Sequence, residues 1–289
     1  MHIIFHYDAG PKLADRLAGL AEQGLDIDIC APGDDARLGD LLPEAEAIWH
    51  VLRPLSRADI EAAPKLRLIQ KIGVGVNTID LEAARERGVA VANMPGTNSR
   101  AVAELTLLLM LAALRRATAL DPATRAGEGW TLGPALQESY GEIAGRTVGL
   151  VGYGAVPQLL APVLAAMGAR VIWAARTDRP DAIGERRDLS KLLSDSDIVS
   201  LHIPETPETR HLIDGAALRS MKPGAILINT ARGGLVDEAA LTDALTNGRL
   251  AAAGLDVFAQ EPVDPANPLL ALDTVVALPH IAWLTPETL

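Results

Sequence analysis

Two series of short apolar runs, each alternating with helix-like stretches, predict an α/β protein built from two parallel-sheet domains with helices on both faces of each sheet. The first series ends before residue 98 and the second begins at Thr147. The second opens with TVGLVGYGAVP over 147–157. There an apolar run bounded by glycine suits a buried parallel strand, Gly152 and Gly154 make a tight turn, and 158–167 reads as helix.

In the first series, strands are predicted over 3–7, 26–31, 47–52, 66–72 and 89–92, with helix-like segments such as 12–23 and 81–87 between them. Two loops, IGVGVN over 72–77 and NMPGTN over 93–98, follow the fourth and fifth strands. Carboxyl ends of strands are where open α/β sheets bind ligands, although plain turn chemistry also accounts for both loops. The stretch 101–114 is apolar nearly all round, with Glu104 and Thr106 as exceptions. It is shorter than a bilayer span of about 20 residues. A helix of that kind belongs in a core or at a subunit interface. The segment 121–140 reads as irregular, either an arm lying on another subunit or a surface loop.

In the second series, strands are predicted over 147–151, 170–174, 198–203, 225–229, 252–256 and 274–278. Six strands with intervening helices match a complete dinucleotide-binding domain. A strand, a glycine turn and a helix N-terminus bind a pyrophosphate, because free N–H groups and the helix dipole both favour an anion. The third glycine of the G-x-G-x-x-G pattern is Pro157 here, which proline's tolerance of a first helical turn permits. Pro162 should kink the helix, since it removes a backbone hydrogen bond.

Composition narrows the function. With 289 residues and 49% hydrophobic content, the chain can bury two cores. A formal net charge of −11 argues against nucleic acid or an anionic membrane as a general partner. The single Cys30 fits a reducing cytosol and reads as a buried structural thiol. The opening MHIIFHYDAG lacks the pattern of a signal peptide. No Cys/His cluster has metal-ligand spacing.

Three polar residues follow strands of the second series: Arg232 in INTARGGLVDE, Glu261 in GLDVFAQEP and His280 in ALPHIAW. An Arg clasps a carboxylate with two parallel hydrogen bonds. A His transfers protons near neutral pH, and a Glu bonded to it fixes the tautomer and stabilises the imidazolium. Together they suit reduction of a 2-keto acid, with a hydride arriving at the carbonyl carbon while His280 protonates the oxygen. Singly, each has an ordinary reading: a surface salt bridge, a solvated Glu261, a packed His280. His2 and His6 flank the first strand, and His211 reads as a surface residue. His50 and His202 lie near strand ends, where core histidines are common, and His202 in LHIPETPET could also border a nucleotide.

With these residues in place, the chain resembles the D-isomer-specific 2-hydroxyacid dehydrogenases over nearly its whole length. The resemblance is carried by LRLIQKIGVGVNTIDLEAARERGVAVANMPGTNSRAVAELT, LHIPETPETRHLI, MKPGAILINTARGGLVDEAALTDAL, AAAGLDVFAQEP and LPHIAW. It implies a flavodoxin-like substrate domain over 1–98, to which 281–289 return, and a Rossmann-like NAD(P)-binding domain over 99–280, with the active site in the cleft between them. It implies Arg232, Glu261 and His280 as the catalytic set, and substrate contacts from Val74, Gly75 and Trp283 as well as Arg232 and His280. It implies cofactor contacts at Gly152, Gly154, Ala155, Val156, Arg176, Thr177, His202, Pro204, Thr209, Thr230, Ala231 and Asp256, the last bonding the nicotinamide carboxamide. A cytoplasmic homodimer joined through the nucleotide domain is the family's usual assembly, with glyoxylate and hydroxypyruvate the leading substrates. Formate dehydrogenases of the family carry an amide where Glu261 stands, so Glu261 argues against that branch. The rival reading is a nucleotide-sensing binding protein like the family's transcriptional corepressors, distinguished by negligible turnover.

Two departures from the family pattern bear on function. Ala175 stands where NAD-using members carry the acidic residue for the ribose, and Arg176 and Thr177 follow, with Arg179 close by. This predicts a preference for NADP(H), with NAD(H) possible; the alternative is that Asp178 bonds the ribose and both arginines are solvated. The chain also reaches Leu289 inside what should be a final helix crossing back to the first domain. Either the sequence is cut short there or the protein lacks that brace.

Overall fold

A computed structural model of the chain describes all residues except 132, 134–138 and 289. It contains two compact units, residues 1–98 and residues 99–288. Part of the segment 121–140, read as an arm or a surface loop, lies outside the described residues.

Unit 1 is a five-stranded parallel sheet, β1 (His2–His6), β2 (Asp26–Ile29), β3 (Ala47–His50), β4 (Leu68–Lys71) and β5 (Ala90–Ala92), in the order β2-β1-β3-β4-β5. Four helices connect the strands: α1 (Pro11–Gly19), α2 (Asp35–Leu41), α3 (Arg57–Glu61) and α4 (Leu81–Glu86). The last three start at Asp34, Ser56 and Asp80, whose side chains accept hydrogen bonds from the first-turn N–H groups. Ile4, Ile48 and Ile69 share one face of adjacent strands and meet Leu38, Leu41 and Ala83 of the helices in the core. Cys30 is buried there, and burial pushes its thiol pKa up, as a structural thiol requires.

Unit 2 begins with α5 (Ser99–Leu114) and α6 (Ala117–Arg125), so the stretch read as irregular from residue 121 is helical through Arg125. Arg125 bonds Asp121 across one helical turn, and Pro122 lies inside the helix. The sheet follows, with β6 (Thr147–Val151), α7 (Ala155–Ala166), β7 (Arg170–Ala174), β8 (Glu185–Arg186), α8 (Leu189–Asp195), β9 (Ile198–Leu201), α9 (Gly215–Ser220), β10 (Ala225–Asn229), α10 (Glu238–Thr246), β11 (Leu250–Leu255) and β12 (Val275–Ala277). Its order is β12-β11-β10-β9-β6-β7-β8, all parallel. The sheet therefore has seven strands rather than the six expected. The extra one, β8, is two polar residues at the edge and has no apolar run to betray it. Along β10, Leu227 points into one apolar core with Leu201 and Leu241, while Ile226 and Ile228 point into the other with Leu109 and Leu160. Thr106, an exception to the apolar run of α5, is buried and bonds Thr230 Oγ1 at 2.9 Å.

Helix α7 starts three residues earlier than expected, with Gly154 as its N-cap and Pro157 at its third position. A first-turn N–H has no acceptor within the helix, so its loss at proline does not stop the helix there. Pro162 lies inside the same helix.

Across unit 1, His6, His50 and Lys71 are register neighbours at the carboxyl ends of β1, β3 and β4, and all three are buried. Burial first, then nearby cations, lowers the pKa of His50 to about 3 and that of His6 to about 4. Both rings are neutral in the fold, whereas an unfolded His titrates near 6.5. Stability from these rings is present above pH 6.5 and is lost as the pH falls towards 4, because the unfolded chain then binds more protons. Urea unfolding at pH 7 and pH 5 should show a larger loss of stability in the parent than in His50→Gln. Equal losses would contradict the assignment.

Candidate active site

Three loops at the carboxyl edge of the unit 2 sheet carry the residues singled out for chemistry. The β10 loop is shaped by the buried Asn229. Its side chain accepts from Ala231 N at 3.0 Å and donates to Arg232 O at 2.8 Å. The loop then presses against the one following β11. A Cβ on Gly233 would lie 1.9 Å from the Phe258 carbonyl carbon, so only glycine lets the two backbones approach this closely. Arg232 and Glu261 are thereby brought onto neighbouring loops.

Glu261 Oε1 accepts from Phe258 N at 3.0 Å, and Oε2 meets His280 Nδ1 at 2.6 Å. The His280 turn is tied to the end of β11. His280 N donates to Asp256 O at 2.7 Å, and the two Asp256 carboxylate oxygens accept from Ile281 N and Ala282 N, each at 2.9 Å. Trp283 Nε1 adds a bond to His280 O at 3.0 Å. Trp283 is buried, and its indole N–H braces the His280 turn. His280 sits at φ 56°, a left-handed backbone that costs about 1–3 kcal/mol for a non-glycine residue. The four hydrogen bonds of this turn hold it there.

Electrostatics match the geometry. Burial alone would raise the Glu261 carboxyl, but the His280 bond and charge, the Phe258 N–H and Arg232 outweigh it, and the pKa is lowered. Glu261 is the anionic partner of the imidazole. Burial raises the Asp256 pKa, against the pull of the Ile281 and Ala282 N–H groups. Burial also works against the Arg232 charge, which Glu261 and Glu205 support. A guanidinium remains charged regardless. With Nδ1 directed to Glu261, Nε2 is the ring nitrogen left for proton transfer.

Of the expected nucleotide residues, Gly152, Gly154, Ala155 and Val156 form the β6–α7 turn and the start of α7. Gly152 has φ 97°, and a Cβ on it would lie 2.3 Å from His202 O. A Cβ on Gly154, by contrast, would meet nothing within 4 Å. The helix N-terminus therefore opens onto free space where a phosphate can approach the backbone, and these residues fit a dinucleotide. Beside them lies a cleft of about 850 Å³ lined by Val151, Ala175, Arg176, Pro204, Thr206 and Thr209, among others. Thr177 and Arg179 are not among its lining residues. Thr209 Oγ1 donates to Pro204 O and accepts from Thr206 N, each at 2.8 Å, and so shapes the cleft wall. His202 is held by Ser200 Oγ at 2.9 Å, and burial lowers its pKa to about 3, which fits a neutral packed ring. Ala155 and Val156 form the first turn of α7, and Thr230 and Ala231 lead from β10 to Arg232.

Val74 and Gly75 belong to unit 1, in the loop after β4. That loop is tied to the one after β5 by Asn93 Nδ2 to Val74 O at 2.8 Å and Met94 N to Gly73 O at 2.9 Å. Sequence reading missed Asn229, Ser200 and the hold of Asp256 on the His280 turn, because each acts through a hydrogen bond that only the fold brings about. It also missed Arg186 and Arg187, which line the cleft.

The NAD-binding domain model of the D-isomer-specific 2-hydroxyacid dehydrogenases matches residues 107–282. The chain is 43% identical over 288 residues to D-3-phosphoglycerate dehydrogenase of Mycobacterium tuberculosis, covering 95% of this chain and 53% of that protein. It thus spans about half the length of that relative. It is 42% identical over 254 residues to glyoxylate reductase of Aeropyrum pernix, covering 85% of this chain and 76% of that protein. Its fold matches the NAD-dependent formate dehydrogenase of Staphylococcus aureus in complex with NAD, with a TM-score of 0.91 and 27% identity over 100% of this chain and 91% of that one. The chain belongs to the D-isomer-specific 2-hydroxyacid dehydrogenase family.

Proposed function

We propose that the chain is a 2-keto-acid reductase that prefers NADPH. The observation carrying this reading is the 2.6 Å His280–Glu261 bond with Arg232 on the neighbouring loop, all at the sheet edge beside the open helix N-terminus. The reaction is R–CO–COO⁻ + NADPH + H⁺ → R–CHOH–COO⁻ + NADP⁺. The reduced nicotinamide, when bound, supplies the hydride. Gly152 and Gly154 would admit the pyrophosphate, and Arg176 would meet the 2′-phosphate. His280 Nε2–H donates to the carbonyl oxygen as it becomes an alkoxide, a contribution of about 10²–10⁴-fold. Glu261 holds the ring in the Nδ1–H tautomer and stabilises the imidazolium. Arg232 clasps the substrate carboxylate. Glyoxylate and hydroxypyruvate are the leading substrates, in keeping with the glyoxylate reductase relative. The phosphoglycerate dehydrogenase relative adds 3-phosphohydroxypyruvate to the panel. The single thiol fits a cytosolic setting. A nucleotide sensor remains the rival function, and it would bind NADPH without reducing any of these acids.

A homodimer is part of the proposal. Leu159 and Val163 of α7 and Met167 at its C-cap recur at four-residue spacing and are all exposed, an apolar stripe suited to a second copy. Light scattering should give twice 30.4 kDa, and Val163→Glu should shift the protein towards monomer. A parent at the single-chain mass would contradict the dimer.

Two variants test the chemistry. Arg232→Ala should cost about 2–5 kcal/mol in kcat/KM on the best substrate of the panel, with Lys rescuing only in part because it lacks the planar fork. Near-normal activity in a folded Ala variant would remove Arg232 from the site. Glu261→Gln deletes the anion that favours the imidazolium. Reduction needs that protonated ring and fails as the pH rises, so the variant should lose activity at lower pH than the parent. An unshifted profile of kcat/KM would count against the pair.

A further inference from the structure

We propose that Arg186 is a second determinant of nucleotide choice, binding a 2′-phosphate itself and withholding Asp178 from an unphosphorylated ribose. The proposal rests on the reading of the cleft beside β6 as the nucleotide site.

Strand β8 is the means. Its pairing sets Arg186 opposite Trp173 of β7. From there the guanidinium lies 5.8 Å from the Trp173 ring centroid, within cation–π range. Nη2 donates to Ala175 O at 3.1 Å and Nη1 reaches Asp178 Oδ1 at 3.4 Å. Three contacts thus hold one guanidinium at the end of β7, on the very residue that replaces the ribose-binding acid. Arg176 and Arg187 line the same cleft, as do the carboxylates Asp188 and Glu208. The three arginines are not equivalent. Arg187 is already paired with Glu185 and lies 4.0 Å from Asp195. Among the described residues, the ion pair of Arg186 is with Asp178, and both partners are exposed.

Exposed pairs of this kind are weak, and a phosphate monoester carries close to two negative charges at pH 7. A 2′-phosphate would therefore draw Arg186 away from Asp178 and gain a planar fork alongside Arg176. Without the phosphate, Arg186 stays on Asp178 Oδ1, and a ribose hydroxyl has to compete with it for that carboxylate. One residue thereby raises affinity for one dinucleotide and lowers it for the other.

Binding rather than turnover tests this. Dissociation constants for NADPH and NADH are measured by fluorescence titration on the whole chain, for the parent, Arg186→Ala, Asp178→Asn and the double variant. Arg186→Ala should weaken NADPH about ten- to hundredfold, the range for losing one charge-assisted contact. It should leave NADH unweakened or tighter. The double variant should lose any NADH gain, because that gain comes from the released Asp178. Asp178→Asn alone should leave NADPH at least as tight as in the parent. Arg186→Ala weakening both dinucleotides alike, or leaving NADPH unchanged in a parent that prefers it, overturns the role of Arg186 alone. A parent that binds NADH more tightly than NADPH overturns both this role and the NADPH preference on which it rests.

Discussion

The buried carboxylate of Asp256 is the constraint on which the rest of the site depends. Placing an ionised carboxyl in a core is costly unless its oxygens are satisfied. Here they are satisfied by Ile281 N and Ala282 N, both on the turn after β12. That turn must therefore close over the end of β11, and closure forces His280 into a left-handed backbone. The ring then meets Glu261, which the Phe258 N–H holds on the β11 loop itself. A single buried carboxyl group thus sets the position of the residue that would carry the proton.

Close backbone approach supplies the rest of the geometry. Gly233 lets the Arg232 loop lie on the Phe258–Ala259 backbone, and Gly152 lets the β6–α7 turn pass His202 O. In each case a methyl group would collide with backbone atoms, which cannot swing aside as a side chain can. The arginine loop and the open helix end thus rest on close main-chain contacts, while the acid–histidine pair is held by side-chain bonds to the backbone.

Much of this was legible in the residues. The strands over 147–151, 170–174 and 225–229 stand where their apolar runs place them, because a strand buried on both faces has a continuous apolar signal. Arg232, Glu261 and His280 stood out because each follows such a run. What escaped had no local signal. Strand β8 is two charged residues stabilised only by pairing with β7, and Arg186 acquires its neighbours through that pairing. Helix α7 starts ahead of Pro157 because a proline in the first turn sacrifices no internal hydrogen bond. The bonds of Asp256 span 25 and 26 residues of sequence, a separation that periodicity and spacing do not encode.

The orientation of the His280 ring is the physical claim from which the proposed chemistry follows, and ¹⁵N NMR of the histidine-labelled protein reads it directly. Across a pH titration, with His280→Gln used to assign its signals, Nδ1 of His280 should stay protonated because Glu261 accepts from it. Nε2 alone should lose its proton as the pH rises. A neutral ring protonated at Nε2, with Nδ1 bare, would contradict the account, since Nδ1 would then be the nitrogen that gains and loses the proton and Glu261 would have nothing to accept from.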